Sequence, residues 1–240
     1  MNKFISRLSK YADLKTDDVQ ALRALPVRMR NYSARQTLVQ PGAPFDKVWW
    51  VEHGWATRKR RLPDGTVQIV NFLLPGEFFD LQGLVGGRCD HAVLALTDLA
   101  VFEAPAADVR TLVSDRPRLR DALIWSGVAE AAILREHVVQ IGRQPALRRV
   151  AFLIASLRRR QALSAEDESD TLEQALGHDV IADALGLSRV HVSRTLKQLR
   201  DTGLIEIAAG RIRVIDADGL DRAAQHDTAY LHVAGPATSA

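Results

Sequence analysis

The sequence predicts an α+β chain: an N-terminal β-roll of the jelly-roll type, a long helix, and a C-terminal winged helix-turn-helix. Three observations predict it. From Val27 to Glu103, short β-rich runs are punctuated by turn pairs such as Pro41-Gly42 and Pro75-Gly76. From Pro117 to about Ile141, apolar residues recur at helical spacing without a further proline. From His178 to Val214, two short amphipathic helices flank a glycine and are followed by an alternating run.

In chain order, Phe4 to about Leu25 reads as helical. Phe4, Ile5 and Leu8 form one apolar patch, and Leu14, Val19, Leu22 and Leu25 form another. Thr16 followed by Asp17 and Asp18 suits a helix start. Strands are expected at Val27–Tyr32, Val48–Glu52, Trp55–Leu62, Thr66–Leu74 and within Val93–Pro105. Pro63-Asp64-Gly65 makes a hairpin turn, because proline presets φ and glycine accepts a positive one. Eight or so short strands at this spacing suggest a jelly roll.

Ser114-Asp115 with Pro117 just inside is a strong helix start. The helix that follows would extend about 38 Å at ~1.5 Å per residue. Its apolar residues cover more than one stripe, without one dominant heptad. Ala129 with Ala131 or Ala132 is small enough for close helix approach. Gly142 to Pro145 marks a hinge. Ala146 to Leu163 is again amphipathic, with Val150, Leu153, Ile154 and Leu157 inward and Arg148, Arg149 and Arg158–Arg160 outward. Ser164–Asp170 is a polar loop, and Leu172–Leu176 a short strand.

The last motif carries the functional information. Val180, Ile181, Ala184 and Leu185 define one helix, Gly186 permits a sharp turn, and Ser188 is a good N-cap for a second helix. There Val192, Leu196 and Leu199 face inward, while Arg189, Ser193, Arg194 and Lys197 lie opposite, with Val190 and His191 near the leading turn. Leu204 to Val214 then reads as a hairpin with Arg211 and Arg213 on its outer side. A basic helix face is commonly only solvated; the succession helix, turn, helix, hairpin is what favours double-stranded DNA as the partner.

The run IADALGLSRVHVSRTLKQLRDTGLI, Ile181–Ile205, resembles the helix-turn-helix of the Crp/Fnr family of bacterial transcription factors. QPGAPFDKVWWVEHGWATRK and FLLPGEFFDLQGL are similar to that family's cyclic-nucleotide-binding β-roll. The resemblance implies a sensory roll over residues 1–115, a dimerisation helix over 116–142 and a winged helix-turn-helix over 143–224; the drift to Ala, His, Thr and Ser after Leu220 adds a flexible tail over 225–240. It also implies a homodimer reading a palindromic site with its second motif helix. Base contacts would fall to Arg189, Val190, Ser193 and Arg194, and phosphate contacts to His178, His191, Lys197, Arg211 and Arg213. Arg194 leads, since guanidinium chemistry suits guanine O6 and N7. Val190 replaces a glutamate that many relatives carry; valine cannot accept from cytosine N4 but can touch a thymine methyl.

The family's usual small-molecule ligands find no match. The position of the ribose-binding carboxylate is Leu81, with Asp80 just before it, and that of the phosphate-binding Arg-Ser pair is His91-Ala92, with Arg88 nearby. Glu77, Asp80, Leu81, Arg88 and His91 are therefore the expected effector pocket, without a cyclic-AMP clamp. The oxygen-sensing branch holds an iron–sulfur cluster on N-terminal cysteines, and none precedes Cys89. The haem-binding branch's Cys-x-His is replaced by Asp80 and Gln82. Cys89 and His91 form another Cys-x-His, too few groups to define a metal site. No cofactor is expected; a small-molecule effector and RNA polymerase stay open as further partners.

Composition agrees. The 240 residues, 47% hydrophobic, can fill two modest cores. A formal charge of +3 means that any nucleic-acid footprint must be local. The single cysteine excludes an internal disulfide and suits a reducing compartment. MNKFISRLSK lacks the apolar stretch of a signal peptide, and no run approaches a membrane span, so a cytoplasmic chain is expected. No nucleophile–base–acid set stands out, which argues against an enzyme. The alternative is a small-molecule-binding protein, for a cyclic nucleotide or another ligand, whose DNA-binding half is vestigial.

Overall fold

The computed structural model describes residues 1–164, 171–172, 176–208 and 210–232. Two short helices, α1 (Asn2–Leu8) and α2 (Thr16–Arg23), precede strands β1 (Arg28–Tyr32), β2 (Thr37–Val39), β3 (Lys47–His53), β4 (Ala56–Arg61), β5 (Val67–Leu73), β6 (Phe78–Phe79), β7 (Ala92–Ala95) and β8 (Leu99–Pro105). A 3-10 turn, Leu81–Leu84, follows β6. Helices α3 (Ala106–Asp115), α4 (Pro117–Arg143), α5 (Ala146–Ala162), α6 (His178–Leu185) and α7 (Arg189–Asp201) come next. Strands β9 (Ile205–Ala208) and β10 (Arg211–Val214) and helix α8 (Ala217–Ala224) complete the order, before a 3-10 turn at Thr228–Leu231.

Contacts divide the chain into two units. One holds Met1–Lys59, Phe72–Ala131 and the chain from Leu231 on; the other holds Arg60–Asn71 and Ala132–Tyr230.

The roll is two four-stranded antiparallel sheets, ordered β1-β8-β3-β6 and β2-β7-β4-β5. Strand β3 explains why Val48-Trp49-Trp50-Val51 is apolar without alternation: both of its faces are covered. Trp49 and Val51 join the roll interior with Phe45, Phe79, Val93 and Val101. Val48 and Trp50 join a second cluster with Phe4, Leu8, Phe78, Val109, Leu119 and Leu123. There Trp50 stacks on Phe4 with ring centroids 4.8 Å apart. Burying a side chain of this size contributes about 1.5–3 kcal/mol, which fixes the strand's position between the two clusters.

Three sequence expectations need correction. Helix α3 was not expected, although Val109, Leu112 and Val113 carry its spacing and pack on the second cluster. Arg160 is buried at 3% exposure, not outward. The tail expected to fray from 225 is ordered to 232: His226 packs edge-on against Phe152, and the Tyr230 hydroxyl lies 2.9 Å from Ser156 Oγ. The loop expected at Ser164–Asp170 and most of the strand expected at Leu172–Leu176 lie outside the described residues. At the edge of that strand, Thr171 bridges Arg213 and the Leu172 N–H donates to the Ile212 carbonyl at 2.9 Å.

Candidate nucleic-acid interface

Helix α6 starts after Gly177 and ends on Gly186, whose φ of 61° and ψ of 39° place it in the left-handed region that glycine adopts without a steric penalty. The chain then turns into α7, whose N-cap Ser188 accepts from the His191 N–H. Val192, Leu196 and Leu199 are buried as expected; Thr195 joins them. The outer face presents Arg189, Val190, His191, Ser193, Arg194 and Lys197, all exposed, with Val190 at 59%.

These side chains are not equivalent. Arg189 is ion-paired with Asp179 of α6, so a base contact would require that pair to open. His191 Nδ1 lies 3.1 Å from Ser188 Oγ. Arg194 and Lys197 have no partner among the described residues and are free to meet one. His178 is exposed at the first position of α6. In the β9–β10 hairpin, Ile205, Ile212 and Val214 are buried while Arg211 and Arg213 point out; Arg213 Nε donates to Glu206 at 2.9 Å. All nine residues singled out from the sequence are thus exposed, and the turn carbonyl at Leu185 accepts from Arg149 Nη1 at 3.2 Å.

The expected effector pocket is only partly assembled. Asp80 and His91 meet inside the roll, with His91 Nε2 3.0 Å from Asp80 Oδ1. Glu77 does not join them: it accepts from Arg7 Nη2 at 2.8 Å and from the Leu74 N–H at 3.1 Å. Leu81 packs on the cluster around Trp50, and Arg88 is exposed, donating to the Gly42 carbonyl at 2.8 Å. Near them stand Arg58, which the sequence reading missed, and Cys89, which it had set aside as one of too few groups for a metal site. Arg58 of β4 donates to Asp80 at 3.0 Å and also binds Glu130 of α4. Cys89 is buried, and burial together with the Asp80 and Asp90 charges pushes its thiol up to about 11, away from thiolate chemistry.

The buried histidines carry opposite pH signatures. Burial alone would lower His91, but its bond to Asp80 and the carboxylate charges around it leave it above the ordinary value of 6.5. Burial holds His137 and His226 below that value. A raised histidine stabilises below the unfolded value and loses that contribution as pH rises through the folded one; a lowered histidine does the reverse. Histidine ring-proton titrations by NMR should therefore show His91 protonating above 6.5 and the other two below it. The stability advantage of the wild type over His91→Gln should shrink as pH rises above 6.5. An advantage that grows over that interval would contradict the assignment.

Comparison with known proteins agrees with this geometry. Residues 29–116 match the model of a cyclic nucleotide-binding domain, and residues 148–223 that of a Crp-like helix-turn-helix domain. The chain is 34% identical over 189 residues to the nitrogen fixation regulation protein FixK of Bradyrhizobium diazoefficiens, covering 79% of this chain and 78% of that one. It is 31% identical over 192 residues to the transcriptional activator protein FnrL of Cereibacter sphaeroides, covering 79% and 76%. Among solved structures, FixK2 from Bradyrhizobium japonicum superposes with a TM-score of 0.73 at 24% identity, covering 82% of this chain and 97% of that one. A cyclic-nucleotide-type roll, a winged helix-turn-helix and two regulators above 30% identity place this chain in the Crp/Fnr family of DNA-binding transcription regulators, a family of regulators and not of enzymes.

Proposed function

We propose that the chain acts in the bacterial cytoplasm as a homodimer, laying the two copies of α7 in successive major grooves of a roughly palindromic site. Residues 1–115 form the regulatory roll, 116–142 the dimer helix and 143–224 the reading domain. Arg194 takes a guanine edge, Arg189 and Ser193 a neighbouring base or phosphate, and Val190 a thymine methyl. His178, His191, Lys197, Arg211 and Arg213 hold the phosphates that set the register. RNA polymerase is the machinery on which a bound dimer would act.

The observation that carries this reading is the exposed face of α7, where Arg194 has no partner among the described residues and stands beside Val190 and Ser193. Selection of bound duplexes from a random library tests it. The expected result is a discrete site with two inverted half-sites about one helical turn (~34 Å) apart, bound with a steep loss of affinity as salt rises. Salt-dependent binding without sequence preference would defeat it and return the small-molecule-binding alternative.

A further inference from the structure

We propose that Glu130 is a built-in ligand of the roll: its carboxylate occupies the buried guanidinium of Arg58 and so sets the rotation of α4 for pairing, without a diffusible anion. This rests on the proposed function, whose dimer it serves.

The Arg58 side chain is 8% exposed and Asp80 is completely buried. A guanidinium taken out of water needs charged partners that match its fork of N–H donors. It finds two from different parts of the roll unit: Asp80 through Nη2, and Glu130 through Nη1. Asp80 is held for this by its own left-handed backbone, φ 60°, and by His91, whose other ring nitrogen lies 2.8 Å from Asp90. One carboxylate belongs to the roll wall, and the other belongs to the helix.

Helix α4 turns by about 100° per residue. Ile124, Val128 and Ala131 are exposed in the same stretch, while Ala129 is buried and Glu130 points to Arg58. On that wheel Glu130 lies roughly 100–160° from each of the three exposed residues. Anchoring Glu130 therefore presents the apolar row outward, whereas a helix free to roll would bury part of it. An external anion would have to displace a carboxylate already in place on the same guanidinium.

The test uses the full chain with Glu130→Gln, Arg58→Lys and the double variant, and with Arg120→Gln as a control on an exposed arginine of the same helix. Lysine keeps the charge but loses the fork that spans two carboxylates. Dimer dissociation by sedimentation and hydrogen exchange over 117–131 are read without DNA. Each single variant should weaken pairing at least tenfold and speed exchange, the double should be no worse than either single, and the control should match the wild type. Wild-type pairing and exchange in Glu130→Gln would overturn the proposal, and so would additive losses in the double variant. Tenfold tighter wild-type pairing on adding a cyclic nucleotide or inorganic phosphate would also overturn it, since Arg58 would then be awaiting an outside anion. Should Glu130→Gln fail to fold, Arg58→Lys decides by the same readouts. The exchange measurement holds even for a monomeric wild type, so a failed dimer reading and a failed Glu130 reading are told apart.

Discussion

Replacing Arg194 by alanine is expected to weaken binding to the selected site by about 1–3 kcal/mol, roughly 5- to 150-fold, and to leave binding to random duplex nearly unchanged. The asymmetry follows from where the side chain sits. Arg194 is on the exposed face of α7, nearly two turns in from the Ser188 cap, flanked by Ser193 and one turn from Val190. Among the described residues it has no carboxylate to leave, in contrast to Arg189, which must first part from Asp179. Its interaction with a base edge is gained whole, and an alanine forfeits it whole.

Lys197→Ala supplies the comparison. An ammonium one turn further along meets phosphate, which every sequence offers, so its loss should weaken specific and random binding alike and reduce the salt slope by about one. Fluorescence anisotropy on both duplexes at several salt concentrations measures the two effects together. Equal losses from both variants on both duplexes would remove the distinction between reading and holding, and with it the assignment of Arg194.

What the sequence made legible was local. Gly186 followed by Ser188, the spacing of Val192, Leu196 and Leu199, and the alternation through Ile212 and Val214 all describe neighbours along the chain, and each stands as expected. The helices missed were also locally encoded. Asp216 caps α8 by accepting from the Gly219 N–H, and Leu220 and Ala224 complete its buried face. That pattern was hidden by an alanine-rich composition that reads equally as a fraying end. The interior of the roll was illegible for a different reason. Arg58 and Glu130 lie on β4 and α4 and Asp80 and His91 in two separate connections, and no periodicity joins a guanidinium to a carboxylate 72 positions away. Glu77 and Arg88, named for lying near the family's ligand positions in the sequence, pair instead with Arg7 and with the Gly42 carbonyl.

A charge placed in the outward row of α4 should abolish the proposed dimer. The sequence showed no single dominant heptad along this helix, because residues that pack on its own chain are interleaved with those that do not. Burial separates them. Ile124, Val128 and Ala131, all in the roll unit, are exposed and follow one another at spacings of four and three, the pattern of a two-stranded seam. Ala129 and Ala132 are buried, which leaves Ala131 as the small residue available for close approach. At a two-fold axis Val128 would face its own copy or its near neighbours, so Val128→Glu sets like charges together in a desolvated seam, at a cost of several kcal/mol. The monomer itself should be unharmed, since Val128 is 37% exposed within one chain, and far-UV circular dichroism and melting should stay as in the wild type. Sedimentation should show a monomer, and affinity for the two-half-site duplex should fall by about 10²–10⁴, the factor that tethering two readers supplies. On a single half-site wild type and variant should bind alike, which separates loss of pairing from damage to α7. A Val128→Glu chain that still sediments as a dimer and binds the full site as tightly as the wild type would place the seam on another surface.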